Sequence, residues 1–146
     1  GDWRNKTMAK RRDMLKWAAV GAAAFPFPAL GGGEKLPDGV RNSAEGKLQR
    51  QPFGDLIVYY DGPTDQLKAL TAGSLRLKPG MSPHPPHEHP EEEIMVITEG
   101  TGEINVRGKI TKVGPGSMMY CAANQSHGIV NTGKIPLLFY YYKWLA

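Results

Sequence analysis

The sequence predicts an all-β fold, a single small sandwich or barrel, on three observations. The chain has 146 residues, enough for one domain of ordinary size. Its 18 glycines and 12 prolines predict many turns and few long helices. From about residue 52, short apolar or alternating segments follow one another with glycine or proline between them, a pattern typical of all-β domains. The composition therefore disfavours an all-α bundle.

The first element, residues 1–30, has the pattern of an export signal. Basic residues around Arg11 and Arg12 precede an alanine-rich apolar segment, residues 17–25, which is too short to cross a bilayer as a helix. The segment resembles a twin-arginine signal, although Lys10 and Met14 stand where such signals more often have Ser or Thr and Phe. An amphipathic N-terminal helix is the alternative.

Removal of this signal would leave no stable membrane anchor in the mature protein. Ala24 and Ala29 are the candidate cleavage positions. We therefore expect the mature protein in the bacterial periplasm or outside the cell.

A polar, glycine-rich segment, residues 31–51, is predicted to be a flexible linker or N-terminal arm. Residues 52–146 are predicted to form the β-domain. The predicted strands are 56–60, 67–77, 94–98, 103–106, 109–113, 117–120, 128–130 and 137–144.

The charge distribution argues against a nucleic-acid partner. The net charge is +4, but residues 1–24 hold six basic and two acidic residues and so account for all of it. The remaining residues hold 12 of each sign. The predicted domain thus lacks the basic surface that nucleic-acid binding requires.

The histidines are the main candidates for metal ligands in this chain. Three of the four, His84, His87 and His89, fall within six residues, and His127 follows in a later segment. Alternate residues of a strand share one face, so His87, His89 and Glu93 can meet at one point, with His127 as a fourth ligand. Imidazoles with one carboxylate suit Fe, Mn, Ni, Zn or Cu. An idle, solvated histidine-rich loop is the alternative.

The single cysteine, Cys121, excludes a disulfide framework and a cysteine-rich zinc site within this chain. Its default interpretation is a small buried apolar residue rather than a reactive thiolate.

Two motifs carry a family resemblance. Gly80-x6-His87-x-His89-x3-Glu93-x6-Gly100 resembles the first motif of the cupin superfamily, G-x5-H-x-H-x3,4-E-x6-G, with one extra residue in the first gap. Gly116-x5-Ala122-x-Asn124-x2-His127-x3-Asn131 resembles the second, G-x5-P-x-G-x2-H-x3-N. Ala122 and Asn124 replace the usual Pro and Gly; Asn tolerates the left-handed backbone that Gly often supplies.

The resemblance implies a small, single jelly-roll β-barrel that holds one divalent metal ion, Fe, Mn, Ni or Zn, in its mouth. It implies four metal ligands: His87, His89, Glu93 and His127. The superfamily includes dioxygenases, isomerases, lyases and proteins without assigned activity, so the resemblance leaves the reaction open.

Other residues are placed around this centre. Met95 and Ile97 share the strand parity of Glu93 and are predicted to line the pocket. The remaining candidates for the pocket wall are Met119, Phe139 and Tyr141. His84 is expected at the pocket rim or exposed, and Glu91 in a solvated acidic edge. No catalytic acid or base stands out.

Two classes of function follow. The first is a metalloenzyme of dioxygenase, isomerase or lyase type that acts on a small polar organic molecule. The second is a non-catalytic protein that binds a small ligand or a metal. We also expect a homodimer, because the aromatic segment 139–144 supplies more apolar area than one core face needs.

Overall fold

The computed structural model describes residues 33–146. These residues form nine β-strands and one short 3-10 helix, Ser43–Glu45, without an α-helix. The strands are β1 (Lys47–Gln51), β2 (Gly54–Gly62), β3 (Ala69–Leu77), β4 (Glu92–Glu99), β5 (Gly102–Val106), β6 (Lys109–Val113), β7 (Met118–Cys121), β8 (His127–Asn131) and β9 (Leu137–Leu145). The predicted all-β class is confirmed. The predicted export segment, residues 1–30, lies outside the described residues.

The strands form two antiparallel sheets. The larger sheet has six strands in the order β1-β2-β3-β9-β4-β7, and the smaller has three in the order β6-β5-β8. In residues 33–146, no continuous ladder joins the sheets into a closed barrel. No helix in this part of the chain has the length and apolarity needed to cross a bilayer.

A single apolar core brings together residues of both sheets. Leu75 and Leu77 of β3 and Phe139 of β9 contribute from the larger sheet, and Ile104 and Ile129 from the smaller. Each of these side chains is at most 4% exposed. In β9, buried side chains alternate with more exposed ones, as expected for a strand with one face in the core.

That alternation divides the aromatic segment 139–144. Phe139 and Tyr141 are buried in the core, whereas Tyr142 is 40% exposed on the other face. Tyr140 and Trp144 share the face of Tyr142 and are partly exposed. Only about half of the segment is therefore available for a partner.

One strand, β1, lies where the sequence predicts a linker. It pairs with β2 over its full length, from Lys47 opposite Val58 to Gln51 opposite Gly54. The strand contains one apolar residue, Leu48, and it is the edge of the sheet, so it carries no buried face that hydropathy could reveal. The first strand therefore begins five residues before residue 52, where the sequence analysis starts the β-domain.

The arm before β1 is anchored along the sheet. The Leu36 amide donates to the Pro63 carbonyl at 2.9 Å. The Lys35 ammonium lies 2.6 Å from Asp65, and the Tyr60 hydroxyl donates to the Gly39 carbonyl at 2.7 Å. These contacts hold this part of the predicted linker against β2 and the turn that follows it.

Asn131, at the end of β8, ties three segments together. Its side-chain amide donates to the carbonyls of Leu77 and Ile135 at 2.9 Å each, and its carbonyl accepts from the Gly133 amide at 2.9 Å. The side chain is completely buried. It thus satisfies backbone groups of β3 and of the β8–β9 turn that would otherwise be buried without partners.

We expect Asn131→Asp to lower the free energy of unfolding by about 2–4 kcal/mol, because a buried carboxylate would face two carbonyl oxygens. Asn105→Asp is the matched control, since Asn105 only accepts, from the Gly108 amide in an exposed turn. We expect it to change stability by about 0.5 kcal/mol or less. Urea denaturation of both variants measures the difference. Equal stability of the two variants would contradict the role given to Asn131.

Candidate metal centre

Two backbone pairings bring the distant histidines together. The amides and carbonyls of His87 and His127 exchange two hydrogen bonds of 3.0 Å, which form an isolated antiparallel bridge. The Asn124 amide donates to the His89 carbonyl at 2.8 Å. The loop between β3 and β4 is therefore fastened to the start of β8.

His87 and His89 lie in this loop and not in a strand, which differs from the geometry that the sequence predicts. Only Glu93 belongs to β4. The nearby prolines, Pro85, Pro86 and Pro90, lack the amide hydrogen that a ladder requires, so the backbone cannot continue as a regular strand through the histidines.

Asn124 occupies the turn before β8 with a φ of 59°. This is the left-handed conformation that glycine usually adopts, and the prediction that Asn would tolerate it here is confirmed. The turn thus keeps its shape without a glycine and delivers His127 to the centre.

The three imidazoles form a compact group. One nitrogen from each of His87, His89 and His127 lies within 4.8 Å of the other two. The ring centroids are 4.6–5.1 Å apart. His89 and His127 are buried and His87 is partly buried. This placement contradicts the alternative of an idle, solvated loop.

Hydrogen bonds fix the tautomers of two of these rings. Nδ1 of His127 donates to the Gln125 carbonyl at 3.0 Å, and Nδ1 of His89 donates to the Glu91 carbonyl at 3.0 Å. In a neutral imidazole the second nitrogen, Nε2, then carries a lone pair. Both rings therefore present Nε2 as a possible metal ligand, with Nδ1 held by a backbone carbonyl.

Glu93 lies opposite these two nitrogens. Its carboxylate oxygens are 3.3 Å from Nε2 of His127 and 3.5 Å from Nε2 of His89. Neither Nε2 of His127 nor Oε2 of Glu93 makes a hydrogen bond of adequate geometry within residues 33–146, although both atoms are buried. Two electron-pair donors this close repel each other unless a cation lies between them, so the donor set fits a metal ion.

The acid–base properties of the pair agree with this interpretation. Burial raises the pKa of Glu93, but the neighbouring imidazoles of His127 and His89 outweigh it and lower the pKa to about 2. Burial lowers the pKa of His127, whereas the Glu93 carboxylate raises it above its usual value. The carboxylate and the imidazole thus stabilise each other's charged forms.

His87 remains neutral at physiological pH. Burial and the neighbouring rings of His84 and His127 lower its pKa to about 3. Metal binding requires a neutral imidazole, so no proton has to be removed from His87.

His84 is buried, with 5% exposure, and does not project into solvent. Its ring stacks on His87 with centroids 3.6 Å apart, and Nδ1 donates to the Pro85 carbonyl at 2.7 Å. Burial lowers its pKa to about 4. His84 therefore packs behind a candidate ligand and lies outside the group of three.

Glu91 is a residue that the sequence analysis placed wrongly, in a solvated edge. Its side chain is 4% exposed, and Oε2 lies 3.2 Å from Nδ1 of His89. Nδ1 donates to the Glu91 backbone carbonyl, so the carboxylate contributes a buried negative charge behind His89 and makes no hydrogen bond of adequate geometry in the described residues. Its position two residues after His89 is a signal that could have suggested this role.

A small cleft with an accessible volume of about 10 Å³, room for about one water molecule, lies beside the centre. Of the five predicted pocket residues, Met95, Phe139 and Tyr141 line it, together with His84, His87, Glu93, Pro83 and Lys143. Ile97 and Met119 are instead buried in the core and are absent from this lining. Lys143 was missed, although it shares the strand parity of Phe139 and Tyr141.

Cys121 is buried, and its thiol donates to the Gln125 carbonyl at 3.5 Å. Burial and the nearby Glu93 carboxylate raise its pKa. The thiol therefore stays protonated near neutral pH, in agreement with the default interpretation as an apolar core residue.

Comparison with known proteins supports the cupin superfamily. The cupin domain family matches residues 73–142, which include the candidate centre. No curated protein matches the chain.

Solved structures share the fold at low sequence identity. An RmlC-like cupin from Shewanella frigidimarina is 15% identical, with a TM-score of 0.63 over 77% of this chain and 96% of that one. KdgF from Halomonas sp. is 18% identical, with a TM-score of 0.62 over 73% and 94%. A predicted oxalate decarboxylase from Thermotoga maritima is 24% identical, with a TM-score of 0.58 over 73% and 99%.

Proposed function

We propose that this cupin-fold protein binds one divalent metal ion through His87, His89, His127 and Glu93 and acts as a metalloenzyme on a small polar organic molecule. The observation that carries the proposal is the buried contact of 3.3 Å between Nε2 of His127 and Oε2 of Glu93. Both atoms are buried beside the grouped imidazoles without a hydrogen bond of adequate geometry in residues 33–146, and a cation between them would satisfy both.

The chain's own residues hold and orient this centre. Backbone carbonyls fix the rings of His89 and His127, and the stacked ring of His84 supports His87. The apolar side chains of Met95 and Phe139 restrict access of water to one side. A bound divalent ion would supply Lewis-acid activation or, as Fe(II), a site for dioxygen chemistry.

The proposed reaction classes are dioxygenase, isomerase and lyase. We expect protein loaded with Fe(II) or Mn(II) to consume oxygen or convert substrate when given a panel of chelating acids and sugar derivatives. Oxygen uptake and product analysis distinguish the classes. His87→Ala should abolish any such activity, and a folded His87→Ala variant with undiminished activity would refute the enzymatic proposal.

The alternative function is non-catalytic binding of a metal or small ligand. The small size of the cleft favours it, because an accessible volume of about 10 Å³ is far below the roughly 300–1,000 Å³ that is common for ligand pockets. A protein that binds metal stoichiometrically but converts no member of the panel would support this alternative.

We expect Glu91→Gln to weaken metal binding about 10-fold, because it removes a buried negative charge 3.2 Å from Nδ1 of His89 that favours a cation at the centre. Glu92→Gln is the control, since Glu92 lies on the opposite face of β4. Calorimetric titration of both variants with Zn²⁺ measures the affinities. Identical affinities would contradict this electrostatic role for Glu91.

We also propose that the two sheets are the halves of a jelly-roll β-barrel and that residues 1–30 are a twin-arginine export signal. The cupin likeness supports the first point, and the basic residues followed by an apolar segment support the second. Replacing Arg11 and Arg12 by lysine should keep the protein inside the cell. Export to the periplasm or medium that persists in this variant would argue against the signal.

A homodimer is proposed through the outer face of β4, β7 and β9. Met118, Tyr120 and Tyr142 are 67%, 56% and 40% exposed there. Ile94 lies opposite both Tyr120 and Tyr142 in the register, so the apolar side chains are contiguous.

We expect a dimer in light scattering and a monomer after Tyr120→Glu, because a charge on this face would be buried in the interface without a partner. Ile135→Glu is the control, since Ile135 is 61% exposed in a turn between β8 and β9. A monomeric unmodified protein would refute the dimer.

A further inference from the structure

One backbone carbonyl in the turn before β8 accepts hydrogen bonds from two side chains. The Gln125 carbonyl accepts from Nδ1 of His127 at 3.0 Å and from the Cys121 thiol at 3.5 Å. A carbonyl oxygen has two lone pairs, so both bonds can form at once. The thiol at the end of β7 is therefore joined to a candidate metal ligand through a single oxygen atom.

The other nitrogen of the same imidazole is directed at the candidate metal centre. Nε2 of His127 is buried without a hydrogen bond of adequate geometry in residues 33–146 and lies 3.3 Å from a carboxylate oxygen of Glu93. Cys121 is 2% exposed and pairs with Glu93 in the register of β7 and β4. Cys121 is thus next to one candidate ligand in the sheet and bonded to the carbonyl that holds another.

The direction of the Gln125 carbonyl affects the direction of the His127 ring. The carbonyl belongs to a turn, residues 122–126, in which Asn124 has a φ of 59° and donates its amide hydrogen to the His89 carbonyl. Carbonyls in a turn are less constrained than those in a strand ladder. A thiol donor restricts the directions that this carbonyl can take, so Nδ1 of His127 stays bonded and Nε2 stays directed at the metal position.

We infer that Cys121 is a positioning residue for the metal ligand His127, because its thiol holds the carbonyl that holds the ring. The inference rests on the proposed metal centre and adds to it a residue that does not touch the metal. The role requires the thiol hydrogen and therefore differs from packing, since an apolar side chain of similar size has no donor to offer.

Substitutions at residue 121 separate hydrogen bonding from packing, with Zn²⁺ affinity of the full chain measured by calorimetric titration. Alanine has no donor, and we expect Cys121→Ala to bind Zn²⁺ about 3- to 10-fold more weakly. The loss is smaller than the roughly 10- to 100-fold for groups bonded directly to a ligand, because the thiol acts through a carbonyl. Cys121→Ser keeps a donor, and we expect its affinity to stay within about 3-fold of that of the unmodified protein. Packing alone would give the opposite order, because a hydroxyl is costly in an apolar position.

Val130→Ala is the matched control. Val130 is completely buried in β8 and belongs to the apolar core. Removal of its methyl groups should destabilise the protein but leave Zn²⁺ affinity within about 2-fold. A loss of affinity equal to that of Cys121→Ala would mean that any loss of buried volume weakens the centre, and it would overturn the inference.

Infrared spectroscopy of the unmodified protein tests the same link without a variant. Cys121 is the single cysteine of the chain, so the S–H stretching band belongs to this thiol alone. We expect Zn²⁺ to shift the band, because a metal on Nε2 makes Nδ1 of His127 a stronger donor to the oxygen that the thiol shares.

The inference would be overturned if Cys121→Ala bound Zn²⁺ as tightly as the unmodified protein, or if Cys121→Ser bound it more weakly than Cys121→Ala. An S–H band that Zn²⁺ leaves unchanged would also contradict it. Disappearance of the band would do so too, since it would show that the thiolate itself binds the metal. Failure of the unmodified protein to bind Zn²⁺ would instead refute the proposed metal centre, and the inference with it.

Discussion

His127→Ala is expected to weaken binding of a divalent cation about 100-fold or more. His127 supplies one of three grouped nitrogens, and it enters the site from β8, whereas His87 and His89 come from the loop before β4. Its loss removes a ligand and leaves Glu93 buried beside an empty space. Removal of a group that only hydrogen-bonds to a metal ligand lowers metal affinity about 10- to 100-fold. Removal of the ligand itself should lower the affinity at least as much.

Calorimetric titration with Zn²⁺ measures this effect, and His84→Gln is the matched control. His84 is as buried as the ligands and stacks on His87, but it lies outside the group of three. We expect the Zn²⁺ affinity of the His84→Gln variant to differ only a few-fold from that of the unmodified protein. Similar losses in the two variants would indicate a general disturbance of the loop and contradict the assignment of His127.

Phe139→Ala is expected to lower the free energy of unfolding by about 3–5 kcal/mol, the usual cost of removing a large buried aromatic ring. Phe139 is 1% exposed in β9, opposite Leu75 of β3 and Ile97 of β4. It therefore packs at the centre of the larger sheet, and the cavity left by the ring could be filled only by movement of both neighbouring strands.

Urea denaturation of the metal-free protein tests this expectation without the contribution of bound metal. Ile135→Ala is the control, because Ile135 is 61% exposed and should change stability by about 0.5 kcal/mol or less. A loss below about 1 kcal/mol for Phe139→Ala would show that the core around β9 is not packed as described.

Most of the fold could be predicted because strands with a buried face have apolar or alternating sequences. The predicted segments 94–98, 103–106 and 109–113 correspond to β4, β5 and β6 within a few residues. The edge strand β1 has no such pattern, since none of the residues Lys47–Gln51 is buried in the core. Hydropathy reports burial, and a strand held only by backbone pairing escapes it.

The site could be predicted as a group of residues but not as a geometry. The spacing of the histidines indicated that His87, His89 and His127 belong together, and the structure brings them within 4.8 Å. Their loop conformation was not predictable by strand parity, because the proline-rich segment departs from a regular strand. The burial of Glu91 could have been inferred, since Glu91 is two residues from both His89 and Glu93. Strand alternation places Lys143 on the same face of β9 as Phe139 and Tyr141, but no sequence motif includes it.

An X-ray structure of the Zn²⁺-loaded protein, with anomalous scattering recorded at the zinc edge, tests the central claim most directly. We expect one strong peak per chain, bounded by the imidazoles of His87, His89 and His127 and by the Glu93 carboxylate, at distances of about 2.0–2.2 Å. Absence of a peak among these four side chains, in crystals that hold zinc elsewhere on the chain, would contradict the account.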